Sequence, residues 1–360
     1  MDKLSTKHFM FFIFGTSIVT LKTYPSLLIQ SGGRETWVIF ILASILLFFY
    51  YISIINTCKR LNIYDITEIY RKALGKYLGV FFISFFYFNI FLSVVESSAL
   101  EANSMHTNMF IETPIWYLQL LFIVPAIYTL TKNLNAIKIC SLIGLIFIFL
   151  AGINLSILSA KYKQYKLLFP IFPEGINISH ITTLIKVLGG YGSIAISLPY
   201  LKFINDKTHL KKHSIIAVII VIQMEIVSIM GVISSFGDAR ASTIFYPKLI
   251  QTQLINYFGF LESGEFFVML QMVGGWFVKY IMSFYILLLF LREIFIDYKN
   301  SIVYIVSTIV FALSFLVAKN NLVLFKNLNY YLYISFFNYI LIPLIIVAIV
   351  RLRALNQPNK

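Results

Sequence analysis

Four ionisable side chains stand inside long apolar runs: Glu96, Glu101, Glu225 and Lys279. At bilayer depth such a group costs about 2.5–3.5 kcal/mol on insertion scales, so each implies a partner or a function. Glu96 has Ser93, Ser97 and Ser98 around it, a setting that suits contact with a ligand amine, proton sensing, or pairing with a base on another span. A Glu–Lys pair joining two spans is the plainest alternative. Glu101, five residues on, projects about 140° away round a helix, so the two carboxylates cannot act as one catalytic pair. Glu225 lies beside Gln223 and Ser228, and Lys279 follows Gly274-Gly275. Glu101, Glu225 and Lys279 are therefore read as coupling or structural charges. Lys22 and Lys186 can reach an interface by extending their stems. The five histidines lie near the ends of apolar runs and are read as solvated. Phosphate-binding loops, zinc-protease helices and nucleophile elbows are absent from the chain. Cys58 and Cys140 form no metal spacing or disulfide framework. No enzyme activity, cofactor or metal site is expected.

A second group of residues could do chemistry through the backbone. Gly15-Thr16-Ser17 falls in the middle of the first apolar run, and Gly189-Gly190-Tyr191-Gly192-Ser193, followed by Pro199, falls in the sixth. Three glycines in four residues cost the sixth helix roughly 1 kcal/mol each relative to alanine, so unwinding is cheap there. In lipid, irregular backbone survives only where it faces protein or a wet cavity. A broken helix presents free N–H groups that favour a carboxylate and free carbonyls that favour an ammonium. An α-amino acid carries both. The expected ligand-binding set is Gly15, Thr16, Ser17, Ser93, Glu96, Gly189, Gly190, Tyr191 and Gly192. Close helix packing through small residues is the competing reading of the same glycines.

The elements that must position these residues follow from composition. The 360 residues are 59% hydrophobic and 12% charged, with a mean hydropathy of +0.84. Soluble domains carry roughly 25% charged residues, so a soluble enzyme, a nucleic-acid-binding domain and a disordered regulator are excluded. Runs of ~20 apolar residues select membrane-spanning helices over a β-barrel. Ten such runs fall near 8–29, 37–57, 78–103, 115–131, 136–159, 181–201, 214–236, 264–292, 301–318 and 331–351. With both termini in the cytoplasm, 18 of the 29 Lys and Arg residues lie in cytoplasmic segments and 9 in external ones, as positive-inside bias requires. The expected fold is all-α, a single transmembrane domain over 1–360. The two weakened spans are first and sixth of ten, equivalent places in two halves of five (about 8–159 and about 181–351). An odd number of spans per half makes the halves enter from opposite sides, a 5+5 inverted repeat. Two further segments look amphipathic. Residues 63–77 would lie along the cytoplasmic interface, and 240–260 would form an external helix, with Phe245 and Leu249 on a surface that transmits binding to a partner.

The order of several short motifs resembles a known family. Thr23-Tyr24-Pro25 closes the first span, and Gly32-Gly33-Arg34-Glu35-Thr36-Trp37 leads into the second. Ile63-Tyr64-Asp65 precedes Leu74-Gly75-Lys76-Tyr77-Leu78-Gly79 before the third. Phe172-Pro173-Glu174-Gly175 precedes the sixth, Tyr246-Pro247 opens the external helix, and Leu261-Glu262-Ser263-Gly264-Glu265-Phe266-Phe267 leads to Lys279. With ten spans and interrupted spans one and six, the chain resembles the amino acid–polyamine–organocation superfamily, and within it the spore-germination permease-like family of germinant receptor B subunits. That resemblance implies a LeuT/APC-like fold and a small germinant, an amino acid, bound at mid-membrane. It implies a larger membrane A subunit and a lipoprotein C subunit as partners, no nucleic acid, and a place in the spore inner membrane. Many relatives have an acidic residue after the Gly-Tyr of span six, where this chain has Gly192; Glu96 is its candidate substitute. A proton- or sodium-coupled secondary amino acid transporter is the alternative, with Asn154, Ser156 and Ser283 as candidate ion ligands.

Overall fold

The computed structural model describes residues 4–173, 175–255, 264–294 and 301–355. Among them the chain is helical throughout, with one isolated bridge pairing Leu4 and Ile204. Eight helical stretches are long and apolar enough to cross a membrane, and Ile115–Leu130 is a shorter apolar helix. Together with the interrupted helix near the N-terminus they make the ten spans of an all-α membrane protein.

The first span is three pieces, Thr6–Ser17, Thr20–Thr23 and Ser26–Gly32. Its interruptions follow Gly15-Thr16-Ser17 instead of coinciding with it. One is a turn at Ile18–Val19; the other is Tyr24, held at φ −127°, ψ 51° ahead of Pro25. A residue before proline is pushed out of the α region, and proline brings no N–H to the ladder. Tyr24-Pro25 thus kinks the span and does not close it. The sixth span runs as Ile178–Tyr191 and continues as a 3-10 helix, Gly192–Phe203. Its expected break is therefore a change of helix type, not an unwound segment. Runs of 3-10 helix beyond a few residues are uncommon; here Tyr51 bonds to Ser197 Oγ at 2.7 Å and Tyr200 Oη donates to Met282 O at 2.8 Å, pinning this piece on both sides.

The sixth and eighth spans are central, with 78% and 72% of their apolar stretch buried against 28% for the fifth. The eighth, Glu265–Ile294, packs chiefly on the third, Lys76–Asn108, and the fifth, Leu134–Leu158. The interfacial helix is present as Ile66–Leu74, capped by Asp65 and burying Ile66, Ile69, Tyr70 and Ala73. A side chain at Gly79 would meet its backbone, with a Cβ 2.8 Å from Tyr70 O, so only glycine lets the third span approach so closely.

Two boundaries differ from expectation. The tenth span begins at Asn321, not near 331, and runs through a π-helical turn, Phe336–Leu341, to Leu355. Lys326 and its polar neighbours belong to a helix of about 50 Å that outreaches a ~30 Å hydrocarbon core. Residues 240–260 are not one helix. The seventh span, Leu210–Thr243, bends at Gly237 (φ 71°) and includes the first of them; a short helix, Pro247–Gln253, follows. Residues 256–263, with Leu261, Glu262 and Ser263, lie outside the described residues, as does Glu174.

Candidate functional site

The kink at Tyr24 brings the first span onto the third and eighth. Tyr24 Oη donates to Glu96 Oε1 at 2.7 Å, and Lys279 Nζ donates to Glu96 Oε2, also at 2.7 Å. Lys279 makes a further 2.7 Å bond to Thr20 Oγ1 and lies 4.9 Å from the centre of the Trp276 ring. The carboxylate and ammonium side chains are 3% and 0% exposed. The Glu–Lys pair anticipated as the plain alternative is therefore formed, and it is bonded into the first span at both of its ends. Tyr331 of the tenth span places its hydroxyl beside Glu96, Ser93 and Ser335 without a well-aligned hydrogen bond. Deeper along the same spans, Asn89 Nδ2 reaches Ser335 Oγ at 3.3 Å. Tyr50 donates to the Tyr339 carbonyl, inside the π turn. Such turns recur at functional sites.

Ser93 Oγ, Asn89 Oδ1, Tyr331 Oη, Tyr339 Oη and Trp276 Nε1 are all buried without a well-aligned hydrogen bond among the described residues, Tyr331 facing Ser93 and Tyr339 facing Asn89. Chemically the cluster offers a carboxylate, an ammonium and several hydroxyls at mid-span. That set can recognise a small zwitterion.

Of the expected ligand set, the structure brings Ser93 and Glu96 into this cluster. The rest pack. Thr16 and Ser17 turn their hydroxyls back onto the carbonyls of Phe12 and Ile13, at 3.0 and 2.7 Å. A Cβ at Gly15 would fall 2.6 Å from Val278 Cγ1 of the eighth span. One at Gly189 would fall 1.9 Å from Leu332 O, one at Gly190 2.2 Å from Leu21 Cδ2, and one at Gly192 3.0 Å from Tyr339 Cβ. Tyr191 bonds Ser44 at 2.9 Å. These glycines let the sixth span lie against the tenth and the first, which is the packing reading. Glu101 is buried apart from the pair, with Oε2 unpaired. Glu225 is buried with both oxygens unpaired, within electrostatic reach of Lys22 and Lys248. Lys22 thus turns inward to a cavity, and Lys186 bonds Ser31 weakly at 3.4 Å. His106 bonds the Thr113 carbonyl at 2.9 Å and is not simply solvated. Asn154 is exposed and satisfied by Leu150 O, while Ser156 lines a lateral cavity and Ser283 is buried elsewhere, so the three do not converge. No group of three or more His, Cys, Asp or Glu residues suits a metal among the described residues.

Reading residue types missed Thr20, Tyr24, Asn89, Tyr331 and Tyr339. Tyr24 was findable, because Tyr-Pro inside an apolar run marks a kink. Tyr331 and Tyr339 stand among 23 tyrosines and carry no such mark.

Ten helical spans, the first interrupted beside a buried polar cluster, define an all-α membrane protein whose fold is LeuT-like. MhsT, solved in complex with L-phenylalanine, shares this fold with a TM-score of 0.71 over 96% of this chain and 89% of its own, at 13% identity. A family profile described as Spore germination protein matches residues 3–323, and the chain belongs to that family. Spore germination protein XB of Bacillus anthracis is 23% identical over 269 residues, which is 73% of this chain and 74% of that protein.

Proposed function

We propose that this chain is the membrane B subunit of a nutrient-germinant receptor and that it binds an amino acid at the Tyr24–Glu96–Lys279 cluster. The observation that carries the reading is the ion pair bonded across the kinked first span. An α-amino acid can exchange into it without changing net charge, its ammonium taking the place of Lys279 at Glu96 and its carboxylate the place of Glu96 at Lys279. Binding would then part Glu96, which holds Tyr24, from Lys279, which holds Thr20, and let the first span move. A ligand shifts such an equilibrium by its differential affinity for the two arrangements. No catalysis is assigned to the chain. A sensor of this kind passes its signal on, and the reading includes a larger A subunit and a lipoprotein C subunit as partners. It also includes residence in the spore inner membrane, with both termini cytoplasmic.

The transporter-type fold supports a second reading, a proton- or sodium-coupled amino acid carrier. Labelled amino acids offered to proteoliposomes holding the chain alone separate the two. Saturable binding without concentrative uptake is expected, together with co-purification of a second membrane protein from spores. Carrier-like uptake by the chain alone, with a nutrient response that survives loss of every membrane partner, would establish the carrier instead.

A further inference from the structure

Away from the ion pair, a cavity of about 530 Å³ lies between the fifth and seventh spans. Three ammonium side chains line it: Lys22 beside the first-span kink, Lys163 after the fifth span, and Lys248 on the short helix Pro247–Gln253. Gln223, Gln271 and Ser228 add uncharged donors. Among the described residues neither Lys22 nor Lys163 makes a hydrogen bond or ion pair; Lys248 bonds only the neutral Gln251, at 2.9 Å. Lys163 extends against Gly231 of the seventh span, where a Cβ would sit 3.6 Å from its Cε. The one described carboxylate that acts on any of the three is Glu225. Three basic side chains face one acid there, an excess of basic groups over acidic ones. Burial, and then the charges of Lys163 and Lys22, push the Lys248 ammonium down to about 7, the response of a cation gathered with others and lacking its anion.

The walls say what kind of anion fits. Ile153, Ile157 and Val227 line the cavity and are also 59%, 65% and 40% exposed on the outside of the bundle, so the cavity is continuous with the surface that faces lipid. Lys163 and Lys248 come from segments outside the spans. Basic groups from that end and apolar walls along the spans match an amphiphile whose head is anionic.

We propose that this cavity binds a phosphate group, that of an anionic phospholipid entering from the bilayer, with its headgroup among Lys22, Lys163 and Lys248 and its chains along Ile153, Ile157 and Val227. The inference does not depend on the amino acid site. The full chain, reconstituted in phosphatidylcholine bilayers with and without phosphatidylglycerol, is extracted and the retained lipid is counted by native mass spectrometry. Retention of phosphatidylglycerol well above its share of the bilayer is expected. Lys163→Gln and Lys248→Gln should each lower that preference about fivefold, as expected for one basic residue at an anionic headgroup. Lys163 is only half-buried, so its replacement leaves the fold intact, and Lys163→Glu should abolish the preference. Equal retention of the two lipids, or a preference unchanged in Lys163→Glu, would overturn the proposal. Inorganic phosphate supplies the remaining arm. Protection of the chain against heat by phosphate in phosphatidylcholine alone, with nothing further gained from phosphatidylglycerol, would put the anion's source in water and overturn the lipid assignment.

Discussion

Removing one member of the Glu96–Lys279 pair should cost far more than removing both. The two atoms are 2.7 Å apart and the side chains are all but fully buried. Breaking such a pair from one side leaves an uncompensated charge, at about 3–5 kcal/mol. Glu96→Gln leaves the Lys279 ammonium facing Thr20 Oγ1 and a neutral amide with no counter-charge, and Lys279→Met strands the carboxylate with Tyr24 Oη. In the double variant no charge remains, and Tyr24 can still bond the amide introduced at position 96. The double variant is therefore expected within about 1–2 kcal/mol of the parent, which makes the coupling about 4–9 kcal/mol, above the ~0.5–3 kcal/mol usual for residues in contact.

Thermal unfolding of the purified chain, followed through the buried Trp276, reads this directly. An unfolding entropy near 2.1 cal/mol/K per residue, over 360 residues, makes 4 kcal/mol equivalent to roughly 5 °C. Each single variant should melt about 4–7 °C lower, and the double should recover most of the difference. Additive losses, or single variants within a degree of the parent, would refute the pair as the element that holds the first span. The same proteins separate structure from recognition. If ligand exchanges into the pair, the double variant is stable yet loses amino acid binding, whereas a purely structural pair would leave binding intact once stability returned.

Three further outcomes are expected. Gly189→Ala puts a methyl 1.9 Å from the Leu332 carbonyl; main chain cannot yield as a side-chain tip can, so stability should fall by about 1–3 kcal/mol or more, and more than for Gly190→Ala, as comparative melting would show. Lys248 in the folded chain titrates near 7 in place of about 10.5, so the unfolded chain binds more protons between those values and stability rises with pH across that window. Lys248→Gln should then raise the melting temperature most at or below pH 7 in detergent free of anionic lipid, with the gain shrinking toward pH 10; a gain independent of pH would count against the shift. With Cys58 and Cys140 replaced, a single cysteine at Glu112 should react with an impermeant maleimide from outside the cell and one at Lys211 should not, and the opposite pattern would invert the proposed orientation.

Much of the fold was legible because hydrophobic length is a strong constraint in lipid. The interfacial helix was readable from the alternation of Ile66, Ile69 and Tyr70 with Glu68, Arg71 and Lys72, and its packed face is the one the pattern requires. What misled was polarity at helix ends. Lys326 and the asparagines near it look like a loop when a span is defined by apolar length, yet Asn320 caps a helix there by accepting from Leu322 and Val323. The segment 240–260 reads as one amphipathic run because apolar periodicity does not register the helix end at Thr243 or the fresh start at Pro247. Leu249, expected on a partner surface, is buried, and Phe245 packs edge-on against Phe325. They belong to a plug internal to the chain.

The site divides along a similar line. Charges at membrane depth announced Glu96 and Lys279 because their cost is too high to be accidental, but their partnership is a fact of three-dimensional packing that spacing along the chain does not encode. Glycine misled for the opposite reason. It lowers the cost of unwinding and the cost of close approach alike, and at Gly189, Gly190 and Gly192 the second use prevails. The kink is instead made by Tyr24-Pro25, where proline removes a donor and tyrosine spends its hydroxyl on Glu96. The outer piece of the same span, Ser26–Gly32, bonds through Ser26 Oγ to the Phe245 carbonyl at 3.1 Å, and Tyr246 donates to Asn103 on the span that carries Glu96. The plug over the 240s is thus attached to the first and third spans, the two that Tyr24 and Glu96 join. A rearrangement at the ion pair that shifts the first span against the third must strain those attachments or carry the plug with it.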